Sequence, residues 1–306
     1  MAGVSPSQPS PRGDCPTAAG EMFPAAVGMV SPRCDQKFFK LGGHVSSANG
    51  TLLSLLPVVA TLAWWLWATA GATAETRHIP PTILPSPSEV FHSMAPLWND
   101  GSLGRNVVVS LLRVTGGFSI AALLAIPLGL TMGSFGRANA TFSLVATVLS
   151  YIPLPALIPL SMAWWGIGEK QKVCFLTLVA FSYLLPLVVR HVKSIDHKFV
   201  LSAQSQGATP WQIVTKILLP MAMPDIFSAM RLGMGVGWTS IILVEVIKNG
   251  DGIGGVGSLI MVYHRLGHMP EVYLTVATIL VVGVVIDKSF LWFGNQLFPW
   301  RQPECD

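Results

Sequence analysis

The feature that most constrains this chain is a series of long apolar stretches. Six of them occur, over residues 52–70, 107–132, 142–165, 173–189, 226–247 and 272–293. A helix needs roughly 20 residues to cross the ~30 Å hydrocarbon core of a bilayer, and each stretch is about that long. Only 11% of the 306 residues are charged and the mean hydropathy is +0.57, whereas soluble domains are near ~25% charged. We therefore predict an all-α integral membrane protein with about six transmembrane helices.

The first 50 residues differ from the rest, because the run Ser5-Pro6-Ser7-Gln8-Pro9-Ser10-Pro11 is low in complexity and cannot bury a core. They are either a flexible tail or an over-extended gene start. The first apolar stretch ends in Ala70-Gly71-Ala72-Thr73-Ala74, which resembles a signal-peptidase site. No basic residues lie directly before this stretch, and this favours an uncleaved first helix.

The orientation follows from the positions of lysine and arginine, which accumulate on the cytoplasmic side of membrane proteins. With the N-terminus inside, the inner segments hold twelve of these residues and the outer segments hold six. Both termini are therefore expected in the cytoplasm. The largest inner connection then covers about 190–225, between the fourth and fifth helices.

This connection has the local signals of a helix, a break and a second helix. Gly207 can adopt the left-handed conformation that ends a helix. Thr209 can cap the next helix, with Pro210 at its first position. Ile213, Val214, Ile217 and Leu218 share one face of that helix, and Pro220 is expected to end it.

The segment resembles the coupling loop of ABC-importer permeases, whose pattern is Glu-Ala-Ala, three residues, Gly, nine residues, Ile-x-Leu-Pro. The matching positions are Ala203, Gly207, Ile217, Leu219 and Pro220. Leu201 stands where the family has Glu, and Ser202 where it has Ala. The resemblance implies that residues 196–220, with Ala208 beside the glycine, contact an ATPase.

The resemblance extends over roughly residues 80–300 and points to permeases of the nitrate, taurine, alkanesulfonate and bicarbonate type. Its motifs are Leu84-Pro85-Ser86-Pro87, Ser110-Leu111-Leu112-Arg113-Val114, Ile158-Pro159-Leu160, Trp165-Gly166-Ile167-Gly168-Glu169, and Gly237-Trp238 with Glu245. It implies cytosolic ABC ATPase subunits that carry ATP and magnesium, a periplasmic solute-binding protein and a second permease subunit, with a homodimer as the expected form. Residues 1–50 would be the tail, 51–106 the first transmembrane helix and a periplasmic segment, 107–300 the permease domain in the bacterial inner membrane, and 301–306 a C-terminal tail.

Five residues are candidates for the translocation pathway: Arg113, Pro155, Pro159, Trp238 and Glu245. The prolines of the third apolar stretch would make a bendable helix that lines a pathway, or a buried kink. Arg113 and Glu245 are charges within apolar stretches, and we expect them to approach each other. Two independent interface charges, or an anion-attracting Arg113, are the alternatives.

The remaining features carry no chemistry that we can assign. No GxxxxGK[ST] motif occurs, so the chain is not expected to bind ATP itself. The glycine-rich run 250–257 is interpreted as a flexible outer turn before a short re-entrant or surface segment. His264 and His268 lack further ligands for a metal ion, and no cofactor or metal is expected. The sequence also has no basic stripe that would indicate nucleic-acid binding.

Two pairs of glycines have the spacing of close helix contacts, within or between subunits: Gly129 and Gly133, and Gly233 and Gly237.

Two other classes of membrane protein would leave different patterns in the sequence. A secondary transporter driven by an ion gradient would carry ionisable groups at the midplane or broken paired helices. A membrane-embedded enzyme would need a nucleophile, base or metal ligands in one place. Neither pattern is evident, so the sequence favours a transport subunit that is not itself an enzyme and that acts by alternating access.

Overall fold

The computed structural model describes residues 47–71, 77–99, 102–247 and 254–300. The chain divides into two units, residues 1–55 and 56–306, and the contacts described below lie within the second. The helices are α1 (Ser47–Ala68), α2 (Pro87–His92), α3 (Met94–Asn99), α4 (Ser102–Ser134), α5 (Gly136–Tyr151), α6 (Leu157–Trp165), α7 (Glu169–Lys193), α8 (His197–Ser205), α9 (Pro210–Ile213), α10 (Leu219–Glu245), α11 (Val256–Leu266) and α12 (Met269–Leu297). Residues 1–46 of the expected N-terminal tail 1–50, the expected C-terminal tail 301–306 and residues 250–253 of the glycine-rich run lie outside the described residues, whereas 47–50 belong to α1.

The all-α class is confirmed, since the described residues form helices and no strand. Among them, four helical segments are long and apolar enough to cross a membrane: Leu103–Ser134, Glu169–Lys193, Pro210–Glu245 and Met269–Leu297. They coincide with the second, fourth, fifth and sixth apolar stretches. The described apolar part of α1, Leu55–Ala68, is shorter. The total of six crossings stays a prediction.

The third apolar stretch is not one helix, contrary to the sequence interpretation. It is divided into α5, a short 3₁₀ turn at Leu154–Ala156, and α6. The cause is local, because Pro153 and Pro155 cannot donate backbone hydrogen bonds and a residue before proline avoids the α conformation. Ile152 has an extended backbone, with φ −67° and ψ 125°. The polypeptide therefore turns at the prolines instead of continuing as a straight span.

The centre of the second unit is the pair α4 and α7, which run in the same direction, since Gly117 lies against Leu176 and Gly133 against Val192. Gly129 and Gly133 bring the two helices together: a Cβ atom added to Gly129 would lie 2.7 Å from Val188, and one added to Gly133 would lie 2.5 Å from Val192. Both glycine pairs therefore act within the subunit, since Gly233 on α10 similarly faces Phe118 on α4. Buried side chains fill the space between these helices, including Val114, Leu184, Val188, Ile226 and Ile241.

Helix α12 is fastened to α10 by polar contacts. The Trp238 indole N–H donates to the carbonyl oxygen of Ile279 at 3.0 Å, and Trp238 is 2% exposed. Nearer the start of α10, the Arg231 guanidinium pairs with the Asp287 carboxylate, with Nη2 and Oδ2 3.0 Å apart. The sequence analysis did not identify Asp287 as a residue that pairs two helices.

The segment after α1 is held by a capped turn at α2. Ser86 and Glu89 form a reciprocal capping box, with Pro87 at the first helical position. Arg77 donates to both carboxylate oxygens of Glu89, at 2.9 and 3.3 Å. These hydrogen bonds lower the pKa of Glu89 to about 2, so the carboxylate is charged at neutral pH. The Trp65 indole N–H donates to the Pro85 carbonyl and joins α1 to this turn.

The close approach of α4 and α7 yields a test of the packing. We expect Gly133→Ala to lower the free energy of unfolding by about 1–3 kcal/mol, because the new methyl group overlaps Val192 and the helices must separate. Gly116→Ala in the same helix is the matched control, since a Cβ there meets nothing within 4 Å. Thermal unfolding of the solubilised protein measures both. Equal unfolding midpoints for the two variants would contradict the proposed packing.

Candidate functional site

The connection between α7 and α10 folds as a compact helical turn, which we call the elbow (residues 196–220). Asp196 caps α8 by accepting a hydrogen bond from the Lys198 N–H. Helix α8 ends in a Schellman motif: the Ala208 N–H donates to Ala203 O at 3.1 Å and the Gly207 N–H donates to Gln204 O at 3.0 Å. Gly207 has φ +79°, in the left-handed region that favours glycine. The predicted helix break is confirmed.

The second half of the elbow begins as the sequence indicates. Thr209 and Gln212 form a capping box, and Pro210 occupies the first turn of α9. The expected end at Pro220 is wrong, however, because the chain continues through a π turn at Val214–Leu218 directly into α10. The Leu219 N–H donates to Val214 O, five residues back. This wider turn accommodates Pro220, which has no N–H to donate to the preceding turn.

The elbow has an inner and an outer face of different character. Ala203, Ile213, Val214 and Leu218 are buried in the same core as α4 and α7, and Ile217 and Ala208 pack against it. Leu201, Ser202 and Gly207 are exposed, Pro220 is exposed, and Leu219 is half-buried. Large apolar side chains also reach the outer face, where Phe199 is 50%, Leu201 53% and Trp211 62% exposed. An exposed apolar surface on a fixed turn is a feature of protein-binding sites.

At the opposite end of α10 lies a buried group of charges, the ionic cluster, formed by Arg113, Glu169, Lys172 and Glu245. Arg113 on α4 is 4% exposed and Glu245, the last residue of α10, is 0% exposed. Their Nη1 and Oε1 atoms are 2.7 Å apart. The expected approach of Arg113 and Glu245 is therefore confirmed.

All three nitrogen atoms of the Arg113 guanidinium group donate hydrogen bonds. Its Nε and Nη2 atoms each donate to one oxygen of Glu169 at 2.6 Å, in the two-pronged geometry that arginine and carboxylate favour. Nη1 also donates to the Gly254 carbonyl at 2.9 Å. Because these bonds engage the cation on three sides, Arg113 does not attract a transported anion in this conformation.

The Glu245 carboxylate joins α10 to α4 and to the start of α11. It accepts the Ser110 hydroxyl at 2.7 and 2.8 Å and the Gly257 N–H at 3.1 Å. The N-terminus of a helix favours a negative charge, so this placement stabilises the carboxylate. A Cβ atom added to Gly255 would lie 2.1 Å from it. Gly255 and Gly257 are thus packed against Glu245, which replaces the interpretation of this part as a flexible turn.

The cluster is balanced in charge, with two carboxylates and two cations. The buried Lys172 Nζ lies 3.6 Å from a Glu169 oxygen, one helical turn away on α7. The Glu169 side chain is 48% exposed and forms the solvent-facing edge of the group. Charges within a membrane protein are costly unless paired, and here each faces an opposite charge.

The other predicted pathway residues lie elsewhere. Pro155 is in the 3₁₀ turn and Pro159 in the first turn of α6, and both are exposed on the surface of this chain. Trp238 is buried between α10 and α12. The structure does not bring these residues together with Arg113 and Glu245, so their assignment to a pathway stays a prediction.

Sequence reasoning missed Ser110, Glu169 and Lys172 as cluster members. Glu169 and Ser110 did occur in motifs of the family resemblance, but no spacing in the chain links them to Glu245. Within the part of the chain that the structure describes, no group of three or more His, Cys, Asp or Glu side chains could hold a metal ion.

Comparison with known proteins agrees with this architecture. The family model described as the inner membrane component of binding-protein-dependent transport systems matches residues 125–300. That range is more than half of the chain, which therefore belongs to this family of ABC-importer permeases and is a multi-pass membrane protein.

Several relatives support the assignment. A protein of Methanocaldococcus jannaschii described as an ABC transporter permease is 30% identical over 251 residues, covering 81% of this chain and 91% of the relative. The taurine transport system permease protein of Escherichia coli is 27% identical over 266 residues, covering 85% and 92%. The bicarbonate transport system permease protein of Synechococcus elongatus is 25% identical over 256 residues, covering 80% and 88%.

A solved structure shows the same fold. A chain of the inward-facing MetNI methionine ABC transporter superimposes with a TM-score of 0.57 at 21% identity, covering 66% of this chain and 98% of that chain.

The ionic cluster predicts a large difference between two arginine substitutions. We expect Arg113→Met to reduce the free energy of unfolding by about 3–5 kcal/mol, because it leaves the buried Glu245 carboxylate without a cation. Arg231→Met is the control, since its pair with Asp287 is 33% and 42% exposed. An exposed pair contributes about 1 kcal/mol or less.

Thermal unfolding in detergent measures both variants. Adding Glu245→Gln to Arg113→Met should recover part of the loss, because the uncompensated charge disappears while an acceptor for Ser110 and Gly257 remains. If Arg113→Met is no more damaging than Arg231→Met, the cluster does not stabilise the fold as described.

Proposed function

We propose that this chain is the transmembrane subunit of an ATP-driven importer that moves a small solute by alternating access. Cytosolic ATPase subunits bind the elbow, and a periplasmic binding protein delivers the solute. The domain limits given by the sequence, with the termini in the cytoplasm and a second copy of the chain as partner, belong to this proposal. ATP and magnesium are bound by the ATPase and not by this chain.

The observation that carries the proposal is the geometry of the elbow. Its inner face is part of the core, whereas its outer face exposes Leu201 and Trp211. A soluble partner that binds the outer face would therefore act on a rigid part of the membrane domain. Leu201 replaces the glutamate of the family pattern, so we expect an apolar contact instead of an ionic one at this position.

The continuity of α9, the π turn and α10 connects the elbow to the ionic cluster. Helix α10 has 27 residues. At 1.5 Å per residue, a helix of this length is about 40 Å long and spans the bilayer. Its first residue adjoins the elbow, and its last, Glu245, is held by Arg113. A displacement of the elbow would thus reach the opposite end of the same helix, as alternating access requires.

The solute is proposed to be a small anion such as nitrate, a sulfonate or bicarbonate. Support comes from relatives whose names specify taurine and bicarbonate transport, with coverage of 80% or more of this chain. The candidate pathway residues Pro155 and Pro159 remain part of the proposal. The buried positions of Arg113, Trp238 and Glu245 favour a role in holding the pathway helices.

The test is co-purification with candidate ABC ATPases expressed together with this chain. We expect Trp211→Ala to weaken ATPase association about thirtyfold, since loss of a central interface tryptophan costs about 2 kcal/mol or more. Trp292→Ala is the matched control: Trp292 is 59% exposed on α12, against 62% for Trp211. Gly207→Val should also weaken association, because a β-branched residue is strained at φ +79°.

Sidedness is measured in intact cells and in inverted membrane vesicles with Ser205→Cys, an exposed position of the elbow, in a background without other cysteines. A membrane-impermeant thiol reagent should modify it only from the cytosolic side. Modification from outside, or equal ATPase binding by the Trp211→Ala and Trp292→Ala variants, would refute the coupling role. Uptake without any ATPase would instead indicate a secondary transporter.

A further inference from the structure

A cavity of about 620 Å³ lies between α5 and the second half of α7. Its polar lining includes Asn139, Ser143, Thr147 and Ser150 from α5, and Arg190 and Lys193 from α7. None of the residues that line it is acidic. The cavity thus combines positive charge and uncharged polar groups, which suit an anion, with an apolar wall that includes Met132, Ala146 and Val189.

The polar residues of α5 form a stripe along one face of that helix. Asn139, Ser143, Thr147 and Ser150 are separated by four, four and three residues, the spacing that places side chains above one another on a helix. Their neighbours Leu144, Val145 and Val148 are exposed and apolar, as expected of a surface that contacts lipid or protein. Polar groups in an apolar helix are retained where they face protein or a water-filled cavity.

The two cations lie about one helical turn apart near the end of α7. Arg190 and Lys193 are both exposed. Lys193 Nζ donates to the Asn139 amide oxygen at 2.8 Å, which directs it towards the stripe. Among the described residues, neither cation lies within ion-pair distance of a carboxylate, whereas Arg77, Arg113, Lys198 and Arg231 each have such a partner.

A second cavity, of about 330 Å³, adjoins the first and shares Ser150 and Pro186 with it. It continues along α7 to Val179 and reaches Val236 on α10. Pro186 within α7 cannot donate to the carbonyl of Ser182, another lining residue, and this leaves a backbone acceptor at the cavity wall. The two cavities therefore follow one another from the charged end of α7 towards the middle of the helix.

We infer that Arg190, Lys193 and the polar stripe of α5 form a binding site for a small oxyanion, a sulfonate or carboxylate group, on the route of the transported solute. The inference rests on the proposed import function and adds its anion-binding residues. Arg113 cannot serve in this way, because Glu169 and Glu245 occupy its donors. At Arg190 and Lys193, the bound anion would supply the negative charge that the described residues do not.

Thiol labelling tests this site without knowledge of the natural solute. In the full chain in membranes with Cys15, Cys34, Cys174 and Cys305 replaced by serine, Thr147→Cys places a thiol in the cavity. Its modification rates are measured with a neutral, a sulfonate-bearing and a trimethylammonium-bearing methanethiosulfonate. We expect the negative reagent to react faster than the positive one, relative to the same reagents acting on a free thiol in solution.

The charge variants then assign the preference to residues. Adding Arg190→Gln and Lys193→Gln should reduce the ratio of negative to positive reagent rates by about tenfold, as expected when local cations no longer concentrate anions. Arg137→Gln is the control, since Arg137 is exposed at the start of α5 and is not among the lining residues. An unchanged ratio in the Arg190→Gln/Lys193→Gln variant, or a thiol that the neutral reagent cannot reach, overturns the proposal. Ser143→Cys repeats the measurement at a second lining position.

Protection by added anions identifies the group that binds. Methanesulfonate, acetate or bicarbonate at millimolar concentration should slow labelling of Thr147→Cys, and the anion that protects distinguishes a sulfonate site from a carboxylate or bicarbonate site. If none protects, the cations create a positive potential but no binding site, and the inference is refuted. Labelling requires neither ATP nor an ATPase. Loss of ATPase association would therefore refute the importer function without changing the outcome of the labelling experiment.

Discussion

The arrangement of the helices depends on a cluster of opposite charges that three helices, α4, α7 and α10, bring together. Arg113, Glu169, Lys172 and Glu245 belong to α4, α7 and α10, and Glu245 also contacts the first turn of α11. In a medium of low dielectric constant, removal of one partner leaves an uncompensated charge that costs several kcal/mol. The arrangement of these helices is therefore specified by charge as well as by apolar packing. It also explains why glycine is needed at 255, where the backbone touches the carboxylate.

The elbow and the ionic cluster lie at the two ends of one continuous helical segment. The π turn lets a proline-containing segment remain helical, so α9 and α10 form a continuous path from the exposed Trp211 to the buried Glu245. The glycine-mediated contact of α4 with α7 gives this element a close-packed support. The cavities between α5 and α7 lie beside that support, next to Pro186, which removes one backbone hydrogen bond within α7. In the proposed importer, the closely packed helices would transmit force and the cavities would leave space for a solute.

Local rules predicted those features that depend on a few neighbouring residues. The end of α8 at Gly207 and the start of α9 at Thr209 and Pro210 follow from left-handed backbone geometry and capping, and both were predicted correctly. The same rules failed at Pro220, where a wider turn compensates for the missing N–H, and over the third apolar stretch, where hydropathy alone indicated one helix. Hydropathy measures the cost of exposing side chains to water. It does not register the backbone hydrogen bonds that prolines remove.

The sequence by itself determined the class of protein, the locations of the four longest apolar helices and the helix–break–helix pattern of the elbow. Each of these depends on composition or on residues a few positions apart. The approach of Arg113 and Glu245 was expected because isolated charges in lipid need partners, but the identity of the whole cluster was decided by tertiary structure. Ser110, Arg113, Glu169 and Glu245 are separated by up to 135 positions, and only the packing of three helices brings them within hydrogen-bonding distance. The role that we propose for Arg190 and Lys193 likewise depends on the polar face of α5, which lines the same cavity. No local pattern in α7 specifies that contact.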